Sequence, residues 1–413
     1  MICLRITKVH AREILDSRGN PTIEVDVTTE SGFGRAAAPS GASTGAHEAL
    51  ELRDGDARYF GKGMKKAVEN VIERIEPVLV GMHVDPLEDI DRQMIELDGT
   101  PDKSRLGGNA MVAVSMACAR AAASASGKPL YSYFGGNTLP KAMFNILNGG
   151  KHAGGRLSIQ EFMVIPEAGS FAERLRMACE TYHVLGKQLA LRYGPGAKNV
   201  GDEGGFAPQM GSTQEALGAI ESAIEEAGYK GKIGLAIDAA ASSFYDEKTG
   251  IYMLDGRPSK ADDLFDFYIA LMKDFNLKSI EDPFYEEDFE AFARLTKKLG
   301  KKAQVVGDDL LVTNVKRIDT AIKAGSCNAL LLKLNQIGTV TEAVAAANLC
   351  RHHHWNVVVS HRSGETEDSF IADFAVGMNA GQIKTGAPAR GERTAKYNQL
   401  LRIEEEMMEE EMM

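Results

Sequence analysis

The sequence predicts an α/β protein: a TIM-like barrel of ββαα(βα)6 order, preceded by a small α+β domain that opens with a three-stranded antiparallel meander. Three observations carry this. Between Ile233 and Thr385 one construction recurs six times, a short apolar run closing on a charged or imidazole side chain: Asp238 (GLAID), Glu281 (SIED), Asp308 (VVGDD), Lys333 (LLLK), His361 (VVVSHR) and Lys384 (GQIK). These ends stand 23 to 43 residues apart, which suits one strand, one helix and two loops apiece. Upstream, MFNILN is followed by the glycine-rich loop GGKHAGG and then by EFMVIP, with no room for a crossover helix between the two, so those strands should run antiparallel.

Taken in order, the β-like segments Leu4–Ile14, Thr22–Thr28 and Phe33–Ala38 are separated by the turn signals SRGNP and ESG and read as the meander. Helical patterns follow at about Ala46–Asp54, Met64–Val80, Pro86–Leu97 and Asn109–Ser126, and the breakers GKP and GGN close the first domain, 1–133. The second domain, 134–413, holds the barrel. If strand one of the barrel climbs, strand two descends, the helices near Phe171–Tyr193 and Thr213–Ala227 climb and descend, and the strand ending at Asp238 climbs again. That parity brings His152, Gln160, Glu161 and the segment NVGDEGGFAP to the end where the six charged strand termini lie.

The bulk numbers exclude several classes. A net charge of −11 argues against nonspecific nucleic-acid binding, because no basic stripe is available to displace counterions from phosphates. Ala110–Gly127 is mostly Ala and Ser with Arg120 inside it, too little apolar area for a membrane span, and reads as a tightly packed buried helix. Five scattered cysteines without a CxxC pair fit a reduced, cytoplasmic setting. The EEEMMEEEMM end reads as the fraying end of a terminal helix or a solvated tail. GKGMKK lacks the strand and third glycine of a dinucleotide fingerprint, and His352, His353 and His354 read as a surface helix end.

Asp238, Glu281 and Asp308 end consecutive strands, and three carboxylates with room for water or substrate suit a hard dication such as Mg²⁺. Asp282 and Asp309 read as caps or supporting groups. A lysine beside another cation and a dication has its charged form disfavoured, which suits Lys333, with Lys384 two strands on, to proton abstraction. An ion pair with Glu281 or Asp308 would instead hold Lys333 protonated and inert. Glu203, set among the glycines of VGDEGG, could protonate a leaving hydroxyl. Arg362 supplies a planar fork suited to phosphate and Ser363 a hydroxyl donor. The Gly/Ser-rich PSGASTG, with Ser40 and Ser43, reads as a lid.

With DSRGNPT, PSGASTG, NGGKHAGG, IQEFM, VGDEGGFAP, IEDPF, GDDLLVTN, LLLKLNQIGT, SHRSGETED and IKTGAPARGER in that order, the chain resembles the enolases over essentially its whole length. The resemblance implies reversible dehydration of 2-phosphoglycerate to phosphoenolpyruvate with two Mg²⁺ per active site. It implies Asp238, Glu281 and Asp308 as ligands of the first ion and Ser40 as the lid residue joining the second. Lys333 would be the base at C2 and Glu203 the acid at the C3 hydroxyl. His152, Gln160 and Glu161 would lie near the leaving group, His361 beside the site, Arg362 and Ser363 on the phosphate, and Lys384 on the carboxylate. A homodimer, sometimes an octamer, is the implied assembly. ASSFY stands where many relatives carry ASEFY, with Ser243 replacing an acid. Two other readings stay open: a lyase or racemase of the same superfamily acting on a nonphosphorylated acid, and a noncatalytic binding protein on the same scaffold.

Overall fold

The structure, a computed structural model, describes residues 4–153 and 155–412. Three strands open it: β1 (Ile6–Leu15), β2 (Pro21–Thr29) and β3 (Phe33–Ala37), paired antiparallel in that order. Their alternation of buried and exposed residues puts Val9, Ile23, Val25, Val27 and Ala36 on the inner face. Helices α1 (Lys65–Asn70) and α2 (Glu76–Leu79) are joined by a π turn at Val71–Ile75, and α3 (Leu87–Asp98), α4 (Gly108–Ala125) and α5 (Leu130–Phe134) follow.

The helix expected at Ala46–Asp54 does not form. Other segments capture its backbone: Ala49 N–H donates to the Gln336 carbonyl at 2.7 Å, Leu50 N–H to that of Asp102 at 2.7 Å and Asp54 N–H to that of Gly63 at 2.9 Å. Those long-range bonds replace the helical ladder that local propensity favoured.

Next come β4 (Lys141–Asn148), the single-turn α6 (Gly150–Ala153), β5 (Glu161–Pro166), α7 (Phe171–Tyr193), α8 (Thr213–Glu226) and β6 (Ile233–Asp238). The linking loop thus holds one helical turn, too short for a crossover, and β5 pairs antiparallel with both β4 and β6. A small antiparallel sheet of β7 (Tyr245–Asp246), β8 (Ile251–Leu254) and β9 (Arg257–Ser259) precedes α9 (Ala261–Asp274).

The remaining strands and helices alternate, except that two helices follow β12. They are β10 (Leu277–Glu281), α10 (Phe289–Leu299), β11 (Gln304–Gly307), α11 (Val315–Ala324), β12 (Ala329–Leu332), α12 (Leu334–Ile337), α13 (Val340–His352), β13 (Asn356–Ser360), α14 (Phe370–Gly377), β14 (Gly381–Lys384) and α15 (Gly391–Met412).

The barrel closes in the order β10-β11-β12-β13-β14-β4-β5-β6. Met143, Met163, Ala236, Val306, Ala329, Leu331 and Val358 pack together as a separate buried cluster, and the main core lies outside it. No helix among the described residues is long and apolar enough to cross a membrane. Near the end of α15, Glu404 accepts the N–H groups of Phe171 and Ala172, so part of the acidic terminus caps α7.

Candidate active site

Side chains on or just beyond all eight barrel strands meet at the mouth. Parallel register sets Glu281 beside Asp238, and antiparallel register sets Glu161 on the other side of Asp238. Lys384 Nζ lies among all three, 3.1 Å from Asp238, 2.8 Å from Glu281 and 3.2 Å from Glu161. Burial works against its charge, but the surrounding carboxylates outweigh that and hold Lys384 well above the usual lysine range. Burial in turn pushes Glu281 and Glu161 above the ordinary glutamate range, each helped by a neighbouring carboxylate.

Lys333, beyond the end of β12, donates to Asp308 Oδ2 at 2.5 Å. Burial alone would lower Lys333; the Asp308 charge reverses the direction, and the lysine is raised. Asp308 is correspondingly lowered despite its burial. This is the ion pair left open as the alternative to a ready base. The other Asp308 oxygen accepts from Gln336 Nε2 at 2.8 Å.

Asp282, Asp308 and Asp309 also have carboxylate oxygens within 4.8 Å of one another. Asp282, however, accepts the N–H groups of Asp308 and Asp309, at 2.9 and 2.8 Å, through its two oxygens. It therefore anchors the end of β11. Burial and the Asp308 charge push Asp309 up to about 8.

Glu203 accepts from Asn145 Nδ2 at 2.9 Å and lies 3.5 Å from His361 Nε2. Burial drives His361 down to about 3, so its imidazole is neutral. Among the described residues, Gln160 Oε1 and Glu161 Oε2 are buried acceptors without a hydrogen-bond partner. The His152 side chain lies outside the described residues.

Residues 40–48 dock on the far rim. Ser40 bridges Gly364, and its hydroxyl contacts Glu51, Arg18 and Arg53. Ala42 N–H donates to Ser363 Oγ at 2.7 Å. Arg362 NH1 donates to Glu48 and Asn335, and NH2 to Glu48 and the Ser43 carbonyl, at 2.9–3.1 Å. The fork read as a phosphate binder is thus occupied by Glu48 and the Ser43 carbonyl. Gly41 is required there, since a Cβ would lie 2.1 Å from Arg362 NH2. Sequence reading missed Glu48, Asn335, Gln336, Asn145 and Arg393 as members of this network. Only Arg393, inside IKTGAPARGER, and the Asn335–Gln336 pair of KLNQIGT lay in motifs that could have flagged them.

The donor set fits a hard divalent cation: buried, oxygen-rich, in carboxylate excess and with unpartnered acceptors. The arrangement offers two buried ammoniums, a carboxyl beside a neutral imidazole and an arginine at the lid, a set suited to acid–base chemistry on an anionic substrate.

Comparison with known proteins agrees with this architecture. The family profile described as "Enolase, N-terminal domain" matches residues 6–134, and "Enolase, C-terminal TIM barrel domain" matches 136–413. The chain is 58% identical over 410 residues to the enolase of Methanopyrus kandleri, covering 98% of this chain and 96% of that relative. It is 58% identical over 408 residues to that of Thermococcus gammatolerans and 57% over 408 to that of Pyrococcus furiosus, each spanning 97% of this chain and 95% of the relative. On fold, on the buried chemistry of the barrel mouth and on likeness over nearly the whole length, the chain belongs to the enolase family.

Proposed function

We infer that this chain is a hydro-lyase, dehydrating 2-phosphoglycerate reversibly to phosphoenolpyruvate and water in glycolysis and gluconeogenesis. The observation that carries the reading is the combination of full-length enolase likeness with Lys333, Lys384, Glu203 and the acidic strand ends buried at one mouth. In this reading Asp238, Glu281 and Asp308 hold one Mg²⁺ and Ser40, from the lid, contributes to a second. Bound there, Mg²⁺ would neutralise the carboxylates, compete with Lys333 for Asp308 and stabilise the second negative charge that builds on the substrate carboxylate.

The chain's own residues do the rest. Lys333 takes the C2 proton, for which its ammonium must first give up its own proton and leave Asp308. Glu203 gives a proton to the departing C3 hydroxyl, with Gln160, Glu161 and His152 around that end. Lys384 faces the carboxylate, where a buried ammonium counters developing charge. Arg362 and Ser363 take the phosphate once it displaces the Glu48 carboxylate and the Ala42 N–H that hold them, with His361 beside them. Buried acid–base groups of this kind contribute on the order of 10² to 10⁴ each in rate.

The division into a capping unit, 1–133, and a catalytic barrel, 134–413, belongs to the same reading, as do a cytoplasmic setting and a homodimer or octamer. The deciding assay follows enol phosphate absorbance from 2-phosphoglycerate with Mg²⁺, then with a chelator. Turnover that the chelator stops supports the reading; no turnover across pH and divalent metals overturns it. Lys333→Ala should lose activity by about 10²- to 10⁴-fold with circular dichroism unchanged. An active variant would remove Lys333 from the base role.

A further inference from the structure

Arg393 stands at the start of α15 with no accessible surface. Its NH1 donates to His361 Nδ1 and to the Arg362 carbonyl, both at 2.6 Å. Its NH2 donates to the carbonyls of Asp202 at 2.9 Å and Ser363 at 2.5 Å. Gly386, at φ +84°, clears the space: a Cβ there would come 2.8 Å from Arg393 Cδ. One guanidinium therefore ties the loop bearing Glu203 to the chain beyond β13.

The chemistry of that contact is one-sided. A guanidinium has only donors and keeps its proton at any accessible pH, so His361 Nδ1 must present its lone pair. The single ring proton of a neutral imidazole then sits on Nε2, the nitrogen 3.5 Å from Glu203. His361 is 2% exposed, which leaves bulk water little chance to reverse the choice.

We propose that Arg393 is a positioning residue for proton transfer: it fixes His361 as the neutral Nε2–H tautomer and, through the Asp202 carbonyl, holds Glu203 against it. An imidazolium at that distance would favour the ionised form of Glu203 and oppose its use as a proton donor. A neutral ring with its proton on Nε2 points a dipole at Glu203 but adds no charge, so it favours the carboxylate form less than an imidazolium would. The proposal rests on the reading of Glu203 as the acid of an enolase reaction.

The test uses the full-length protein with Mg²⁺, labelled with ¹⁵N at histidine, the His361 ring signals being identified by their loss in His361→Asn. The expected spectrum shows an unprotonated Nδ1 and a protonated Nε2. Arg393→Met should spoil that signature and lower kcat about 100-fold while KM for 2-phosphoglycerate changes less than about threefold.

A wild-type Nδ1–H tautomer or an imidazolium overturns the proposal whatever the variants do, so it stays decidable should Arg393→Met fail to fold. A folded Arg393→Met with the wild-type tautomer and kcat overturns it as well. Absent turnover in wild type with the expected tautomer would instead remove the enolase reading and leave the Arg393–His361 contact standing.

Discussion

Lys384 is the residue on which the charge balance of the mouth turns, because Asp238, Glu281 and Glu161 all share its ammonium. Lys384→Met strands those carboxylates in a buried site, and breaking a buried pair in that way costs about 3–5 kcal/mol. Denaturant midpoints in the presence of chelator should fall accordingly; an unchanged midpoint would show that the carboxylates are neutralised without Lys384. At this scale the sequence was legible where a charge closed an apolar run, since such a residue has no packing reason to be there. Glu48 gave no such signal: it sits in a polar segment, and its partner Arg362 lies 314 positions away. The Lys333–Asp308 pair was legible only as one of two alternatives, Glu281 or Asp308, because the choice depends on which strand ends are neighbours in the barrel.

Helix α4 shows how an element's composition encodes its packing. Its Ala and Ser residues let β3 approach so closely that a Cβ on Gly34 would lie 2.0 Å from the Ala117 carbonyl oxygen. Gly34→Ala must push the sheet off the helix, and a cost of about 1–3 kcal/mol is expected from urea titration. A cost near zero would mean that the sheet shifts freely.

Asp91 of α3 reaches another element, accepting the Thr341 N–H near the start of α13 at 3.0 Å. Burial pushes Asp91 up from 3.8 to about 6, so the folded state holds this proton more tightly than the unfolded chain. The associated stability is present at acid pH and lost as pH rises through about 6. The loss is on the order of 2–3 kcal/mol for a shift of about two units. Asp91→Asn should remove that pH dependence; parallel stability profiles for variant and wild type would refute the assignment. Element types were mostly legible from periodicity, and Ala46–Asp54 failed because tertiary bonds to Gln336, Asp102 and Gly63 claimed its backbone.

For the whole molecule, a dication that binds only the folded mouth must stabilise the fold. At a concentration 100-fold above its Kd the gain is about 2.7 kcal/mol. Raising Mg²⁺ should therefore raise Tm and chelator lower it, with the shift lost in Asp238→Asn; an equal shift in wild type and variant would place the ion elsewhere.

The sequence by itself determined the barrel, its antiparallel first hairpin and the residues that end its strands, because strand period, loop length and a charge closing an apolar run are local properties of the chain. Only the tertiary structure decided which partner each of those charges takes: Asp308 for Lys333, three carboxylates for Lys384, the lid for Arg362 and Arg393 for His361. Those pairings depend on distances between strands remote in sequence, and in a buried site it is burial together with the nearest charges that sets a group's protonation and so its chemistry.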